Sequence, residues 1–128
     1  MSPAKPAGAD APGRKCRVLI VEDDALSSMA LHRLVASLGY EVVVAGTLEE
    51  AERRLPWAGC VVLDLHLPDG NGIDLLRRVR RGRRPVRVAV TTGSAGEGLL
   101  AEVKSLRPDA LFIKPFHPPD LFDWLDSA

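Results

Sequence analysis

Five short aliphatic runs alternate with helical segments along residues 16–128, and this alternation is the feature that most constrains the fold. The predicted strands span residues 17–21, 41–45, 60–64, 86–90 and 110–113. They are continuous apolar runs, which is typical of strands buried on both faces. Strands that alternate with helices form a parallel sheet with helices on both sides. We therefore predict an α/β fold with a doubly wound five-stranded parallel sheet.

The segments between these strands carry helix signals. Residues 25–38 have apolar side chains at helical spacing: Leu31, Leu34, Val35 and Leu38. Two later helices are predicted to open with capping boxes, Thr47 with Glu50 and Ser94 with Glu97. Pro56 is expected to stop the second helix, and helices are also predicted from about residue 71 and from about residue 119.

Composition excludes several classes of protein. The chain has 17 Lys plus Arg and 17 Asp plus Glu, and this zero net charge argues against non-specific nucleic-acid binding. No apolar run reaches the length of a membrane span, and no secretory signal is present. Residues 1–15, rich in Pro, Ala and Gly, are predicted to be a disordered leader, followed by one domain over residues 16–128. We expect a cytoplasmic protein.

Cys16 and Cys60 are expected to start neighbouring strands with an offset of two or three residues. Strand spacing and rise then place their Cα atoms roughly 8–11 Å apart. Because a disulfide needs a shorter separation, the pair is predicted to stay reduced.

Polar residues gather at the carboxyl ends of the predicted strands, where ligands bind in folds of this kind. They are Glu22, Asp23 and Asp24 after the first strand, Asp64 at the end of the third, Thr91 after the fourth and Lys114 after the fifth. Crowded carboxylates raise one another's pKa unless a cation lies among them, and their oxygen atoms suit Mg²⁺. A metal, a lysine and a hydroxyl around one carboxylate suit a phosphoryl group arriving on Asp64.

Four motifs carry a resemblance to a known family. They are VLIVEDD at 18–24, VVLDLHLPDGNG at 61–72, VTTGS at 90–94 and LFIKPF at 111–116. With these motifs the chain resembles the receiver domain of two-component response regulators, of the chemotaxis-receiver type. The resemblance covers the chain after the leader. It implies the strand order 2-1-3-4-5.

The resemblance also implies a role for each matching residue. Asp64 is the expected phosphoacceptor, Thr91 is expected to bond the phosphoryl group, and Lys114 is expected to pair with Asp64 or its phosphate. The expected Mg²⁺ ligands are Glu22, Asp23, Asp64 and the backbone carbonyl of His66. Asp24 is more readily interpreted as the cap of the first helix. The Lys114–Pro115 peptide bond is expected to be cis.

One position departs from the family pattern. The switch element pairs the hydroxyl of Thr91 with a residue three positions before Lys114, which is usually Tyr or Phe and is Leu111 here. Phe112 is one place later and should face the other side of the sheet. The sequence therefore does not decide whether Leu111 takes part in signal output.

We interpret the chain as a stand-alone receiver that accepts a phosphoryl group from a sensor histidine kinase or a histidine phosphotransfer protein. It would act through an unknown downstream protein or relay the phosphate onward, without a DNA-binding domain and away from the membrane. Its oligomeric state stays open. Alternatives are a scaffold that acts without phosphorylation and a receiver fragment of a hybrid histidine kinase. A phosphatase of the haloacid dehalogenase type needs D-x-D-x-T after the first strand, where EDDAL stands.

Overall fold

A five-stranded parallel sheet forms the centre of the protein in the computed structural model, which describes residues 15–93 and 96–127. The strands of this sheet are β1 (Arg17–Val21), β2 (Glu41–Ala45), β3 (Cys60–Asp64), β4 (Arg87–Thr92) and β5 (Ala110–Ile113). They pair in the order β2-β1-β3-β4-β5, so the predicted fold and strand order are confirmed. Apart from Lys15, the predicted leader lies outside the described residues.

The fourth strand ends later than predicted. The ladder continues through Thr91, which pairs with Asp64, and through Thr92, which pairs with Ile113. Threonine is β-branched and fits a strand as well as valine does, so the change from Val90 to Thr91 does not end the strand. Thr91 therefore lies inside β4, next to the last residue of β3.

Within the described part of the chain, five helices cover the sheet: α1 (Ala25–Ser37), α2 (Leu48–Arg54), α3 (Ile73–Arg81), α4 (Glu97–Ser105) and α5 (Pro118–Asp126). Asp24 caps α1 by accepting the Ser27 amide at 2.9 Å, and Thr47 caps α2 by accepting the Glu50 amide at 3.1 Å. The predicted cap at Ser94 lies outside the described residues, and α4 begins after Gly96 instead. Among the described residues, no helix is both long and apolar enough to cross a bilayer.

Helix α2 ends at Arg54, two residues before Pro56, so the prediction that the second helix stops at Pro56 is confirmed. The chain continues as a single 3₁₀ turn over Leu55–Trp57, in which proline occupies an early position. Proline is tolerated there because the first amides of a helix need no partner within it.

Two apolar clusters lie on opposite faces of the sheet. One contains buried side chains of α2, α3 and α4, and the other contains Val35 of α1 with Leu121 and Leu125 of α5. Every residue of β3 is buried, because this central strand is covered on both faces. The last residue of β3, Asp64, is thus held at a fixed position on the carboxyl edge.

A small antiparallel hairpin follows β3 and was not predicted. It pairs His66–Leu67 with Gly70–Asn71 and leads into α3, whose first amide, that of Ile73, donates to Asn71 Oδ1 at 2.9 Å. The strands are too short to leave an alternating apolar pattern, so periodicity could not reveal them.

The sequence predicts that Cys16 and Cys60 are too far apart for a disulfide, but their side chains are in contact in the structure. Cys60 pairs with Val18, so Cys16 lies two residues before that partner and on the same face of the sheet. The two sulfur atoms are 3.1 Å apart. The prediction considered backbone separation alone and left out the two side chains that reach toward each other.

Candidate functional site

Three carboxylates meet at the carboxyl edge of the sheet. Glu22 and Asp23 follow β1, Asp64 ends the neighbouring β3, and one oxygen of each lies within 4.8 Å of the others. Glu22 and Asp64 are each 6% exposed, whereas Asp23 is exposed to solvent. The structure thus brings together the three acidic side chains that the sequence assigned to a metal.

A lysine that follows the edge strand β5 reaches this cluster. Lys114 follows β5, and its Nζ donates to Glu22 Oε1 at 2.7 Å and to Asp64 Oδ2 at 3.0 Å. The Lys114–Pro115 peptide bond is cis, as the resemblance implied. The contact with Asp64 was expected, but the contact with Glu22 was not, because β5 and β1 are separated by two strands.

Burial and ion pairing oppose each other in this cluster. Burial raises the pKa of Glu22, and the bond from Lys114 offsets only part of that rise. Burial also acts to lower the pKa of Lys114, but its bonds with Glu22 and Asp64 outweigh this effect and raise it. The lysine therefore stays charged and neutralises part of the carboxylate charge.

Asp64 is held through both of its carboxylate oxygens. Oδ2 accepts from Lys114, and Oδ1 accepts from the backbone amide of His66 at 3.0 Å. The following loop passes close behind the strand, because an added Cβ on Gly72 would lie 2.4 Å from the Asp64 carbonyl oxygen. The role of the His66 carbonyl as a metal ligand stays a prediction.

The two threonines of β4 differ in their surroundings. Thr91 is 3% exposed and is the register partner of Asp64, so both side chains leave the sheet on the same face. Thr92 points to the opposite face, is wholly buried, and its Oγ1 has no hydrogen-bond partner among the described residues. Of the two hydroxyls, only that of Thr91 lies beside the carboxylate cluster.

Leu111 and Phe112 lie on opposite faces of β5, as expected from strand geometry. Leu111 pairs with Val90 and is half-buried against the apolar cluster formed with α2, α3 and α4. Phe112 belongs to the other cluster and its ring lies 5.3 Å from that of Phe116. Leu111 is therefore next to the strand that carries Thr91.

Asp69 is a positioning residue that the sequence did not reveal. It lies in the turn of the hairpin, and its carboxylate accepts the amides of Leu48 at 2.7 Å and Glu49 at 3.0 Å. These bonds lower the pKa of Asp69. The loop after Asp64 is thereby attached to the first turn of α2, about 20 residues away in sequence.

The carboxylate cluster fits a hard divalent cation. Its ligand atoms are all oxygens, two of the three side chains are buried, and the third is open to solvent. Mg²⁺ prefers this donor set and retains several waters, which the exposed side can accommodate. With Mg²⁺ bound, the metal and Lys114 would both attract an anionic group at Asp64.

Comparison with known proteins agrees with this geometry. The family model of the response regulator receiver domain matches residues 18–126. The chain belongs to this family. The receiver is 29% identical to the transcriptional regulatory protein FixJ of Bradyrhizobium diazoefficiens over 89% of the chain and 57% of that protein. It is 36% identical to the virulence transcriptional regulatory protein PhoP of Salmonella typhimurium over 79% of the chain and 46% of that protein.

Solved structures show the same fold. A receiver protein from Pseudomonas putida matches with a TM-score of 0.83 and 27% identity over 91% of the receiver and 98% of that chain. A receiver domain protein (CheY-like) from Methanospirillum hungatei matches with a TM-score of 0.82 and 28% identity, over 89% and 92% of the two chains. The receiver spans about half the length of the curated relatives it matches. It is thus a signalling domain of two-component systems.

Proposed function

We propose that Asp64 accepts a phosphoryl group from a phosphohistidine of a sensor histidine kinase or a histidine phosphotransfer protein. An oxygen of Asp64 attacks phosphorus, the P–N bond to the donor breaks, and the donor imidazole leaves. The observation that carries this proposal is the cluster of Glu22, Asp23 and Asp64, with Lys114 bonded to two of its members. An isolated surface aspartate has neither the cation nor the fixed orientation.

Each residue of the cluster has a proposed task. Lys114 and the His66 amide fix the Asp64 carboxylate before transfer. Glu22, Asp23, Asp64 and the His66 carbonyl would hold Mg²⁺, which when bound neutralises charge on the phosphoryl oxygens. Thr91, adjacent to Asp64, donates its hydroxyl to the phosphoryl group, and Lys114 neutralises a further oxygen.

The proposed output is a change in affinity for another protein, or relay of the phosphate onward. Thr91 and Leu111 are the candidate switch that the family resemblance implies. Leu111 is half-buried and pairs with Val90, the residue before Thr91, whereas Phe112 is the register partner of Thr91. Leu111 presents less surface than an aromatic side chain, and this feature favours the alternative of a receiver-fold scaffold that acts without phosphorylation. A receiver fragment of a hybrid histidine kinase fits the same site.

Incubation with acetyl phosphate and Mg²⁺, followed by intact-mass measurement, tests the proposal. The native chain should gain one phosphoryl group, and Asp64→Asn should gain none. Asp74→Asn removes an exposed carboxylate of α3 outside the cluster and should be phosphorylated like the native chain. A chelator should abolish the gain. Equal labelling of the native chain and Asp64→Asn, or no labelling of a folded native chain, would overturn the proposal.

A further inference from the structure

Two thiols are in contact at the edge of the sheet opposite the carboxylate cluster. Cys16 precedes β1, Cys60 begins β3, and their sulfur atoms are 3.1 Å apart. Asp64 ends the same strand that Cys60 begins, so strand rise separates the two positions by about 13 Å. The thiol pair therefore belongs to a different part of the molecule from the proposed phosphorylation site.

The two sulfurs differ in their access to solvent. Cys60 is wholly buried, whereas Cys16 is half-buried. Both line an open cavity of about 930 Å³, together with Tyr40, Arg83 and Asp126. A small oxidant can enter this cavity and reach Cys16 first.

The environment of Cys60 keeps that residue a thiol. Hydrogen bonding with Cys16, together with burial, raises its pKa, although Arg87 Nη1 lies 4.0 Å from its sulfur and acts in the opposite direction. A protonated, buried thiol reacts slowly with an oxidant from solvent, because the thiolate is the nucleophile. Cys60 is thus suited to react second, with a neighbouring oxidised sulfur.

The sulfur atoms of Cys16 and Cys60 need to move only a short distance to form a disulfide bond. A disulfide has a sulfur–sulfur distance of about 2.05 Å, so the sulfurs must approach by about 1 Å. Cys16 lies outside the strand ladder, one residue before β1, and its backbone can move without breaking a ladder pairing. A pair of unrelated core cysteines would not combine sulfur contact, one accessible partner and a backbone position outside the strand ladder.

We propose that Cys16 and Cys60 form a hydroperoxide-sensitive dithiol that closes to an intramolecular disulfide. The Cys16 thiolate attacks a peroxide oxygen, the O–O bond breaks, and the departing oxygen leaves as water after taking a proton. Cys16 is then a sulfenic acid. The Cys60 sulfur attacks it, the S–S bond forms, and the S–OH oxygen leaves as water with the Cys60 proton. Two thiols are oxidised, and one hydrogen peroxide is reduced to two waters.

The disulfide would close a long loop. Cys16 and Cys60 are 44 residues apart, and the loop between them contains β1, α1, β2 and α2. Cross-links that close long loops restrict the unfolded chain and stabilise the folded one. Oxidation should therefore raise the Tm by about 5–10 °C, reversibly with a dithiol reductant.

Hydrogen peroxide treatment of the full chain tests this proposal. The expected result is a mass loss of about 2 Da, loss of both free thiols, a higher Tm and reversal by dithiothreitol. Cys16→Ser and Cys60→Ala should not lose 2 Da, and Asp64→Asn should lose it like the native chain. Cys16→Ser should still be phosphorylated by acetyl phosphate, since Asp64 lies at the other edge.

Other outcomes overturn the proposal. Mass gains of about 16 or 32 Da without the loss of 2 Da would show isolated oxidation of one sulfur. Disulfide-linked dimers on a non-reducing gel would show reaction between chains. If a cysteine variant does not fold, peptide mapping of the oxidised native chain decides the question, because only the proposed disulfide joins the peptides that contain residues 16 and 60.

Discussion

Lys114 Nζ lies 2.7 Å from Glu22 Oε1, an ion pair between residues 92 positions apart in sequence. The same nitrogen bonds Asp64, so one cation connects the carboxyl ends of β1, β3 and β5. Glu22 and Asp64 are both buried, and a buried carboxylate that lacks a partner is costly. Lys114 is therefore expected to stabilise the carboxylate cluster before phosphorylation as well as after it.

Replacement of Lys114 separates these two effects. In buffer without divalent cations, Lys114→Met should lower the free energy of unfolding by about 1–3 kcal/mol, because Glu22 and Asp64 lose their shared donor. Mg²⁺ should stabilise this variant more than the native chain, since the metal no longer meets a lysine charge. Urea unfolding with and without Mg²⁺ measures both quantities.

The control is Lys104→Met, which removes an exposed lysine of α4. It should leave both the stability and the response to Mg²⁺ within about 0.5 kcal/mol of the native values. An equal response to Mg²⁺ in the native chain and Lys114→Met would contradict the expectation that the lysine and the metal share the same carboxylates.

The adjacent threonines of β4 offer a matched comparison. Thr91→Val should reduce the retention of a phosphoryl group, because it removes the hydroxyl next to Asp64, and Thr91→Ser should restore it. Thr92→Val should raise the free energy of unfolding by about 1 kcal/mol, because it removes a buried hydroxyl without a partner among the described residues. Its phosphorylation should match that of the native chain. Acetyl phosphate labelling and urea unfolding measure the two effects, and a loss of labelling in both Val variants would show a packing effect.

The contribution of Asp69 to the stability of the fold depends on pH. The amides of Leu48 and Glu49 lower the pKa of Asp69 below its ordinary value of 3.8. A carboxyl group with a depressed pKa stabilises the fold above the ordinary value and loses that contribution as pH falls through the depressed one. Asp69→Asn should therefore unfold at a lower Tm than the native chain at pH 7 and pH 5, and the difference should shrink below pH 3.8. A Tm difference that is independent of pH would show that the charge of Asp69 plays no part.

The fold could be predicted from sequence because aliphatic runs report burial directly. Four of the five strands have the predicted bounds, and the fourth differs because Thr91 and Thr92 are as suited to a strand as the valines before them. The acidic cluster and Lys114 could also be placed, because parallel strands bring their carboxyl ends to one edge.

The remaining contacts depend on side-chain reach, which carries no periodic signal. The Glu22–Lys114 bond spans two intervening strands, the Asp69 cap joins a turn to a helix, and the Cys16–Cys60 contact depends on two rotamers. Each joins residues at least 20 positions apart, beyond the range of local pattern reasoning. Such contacts follow from the packed structure alone.

Replacement by alanine should change the stability of the protein in opposite directions at two glycines near helix N-termini, Gly72 and Gly98. A Cβ on Gly72 would lie 2.4 Å from the Asp64 carbonyl oxygen and 3.1 Å from Leu65 Cα, so backbone must move. Gly72→Ala should lower the free energy of unfolding by about 2–4 kcal/mol and reduce phosphorylation of Asp64, whose strand end would be displaced.

Gly98, inside α4, has no neighbouring atom within 4 Å among the described residues. Gly98→Ala should raise stability by about 0.5–1 kcal/mol, because alanine loses less backbone entropy in a helix. Urea unfolding of both variants checks the signs, and a destabilised Gly98→Ala with an unchanged Gly72→Ala would contradict the close approach of this loop to β3.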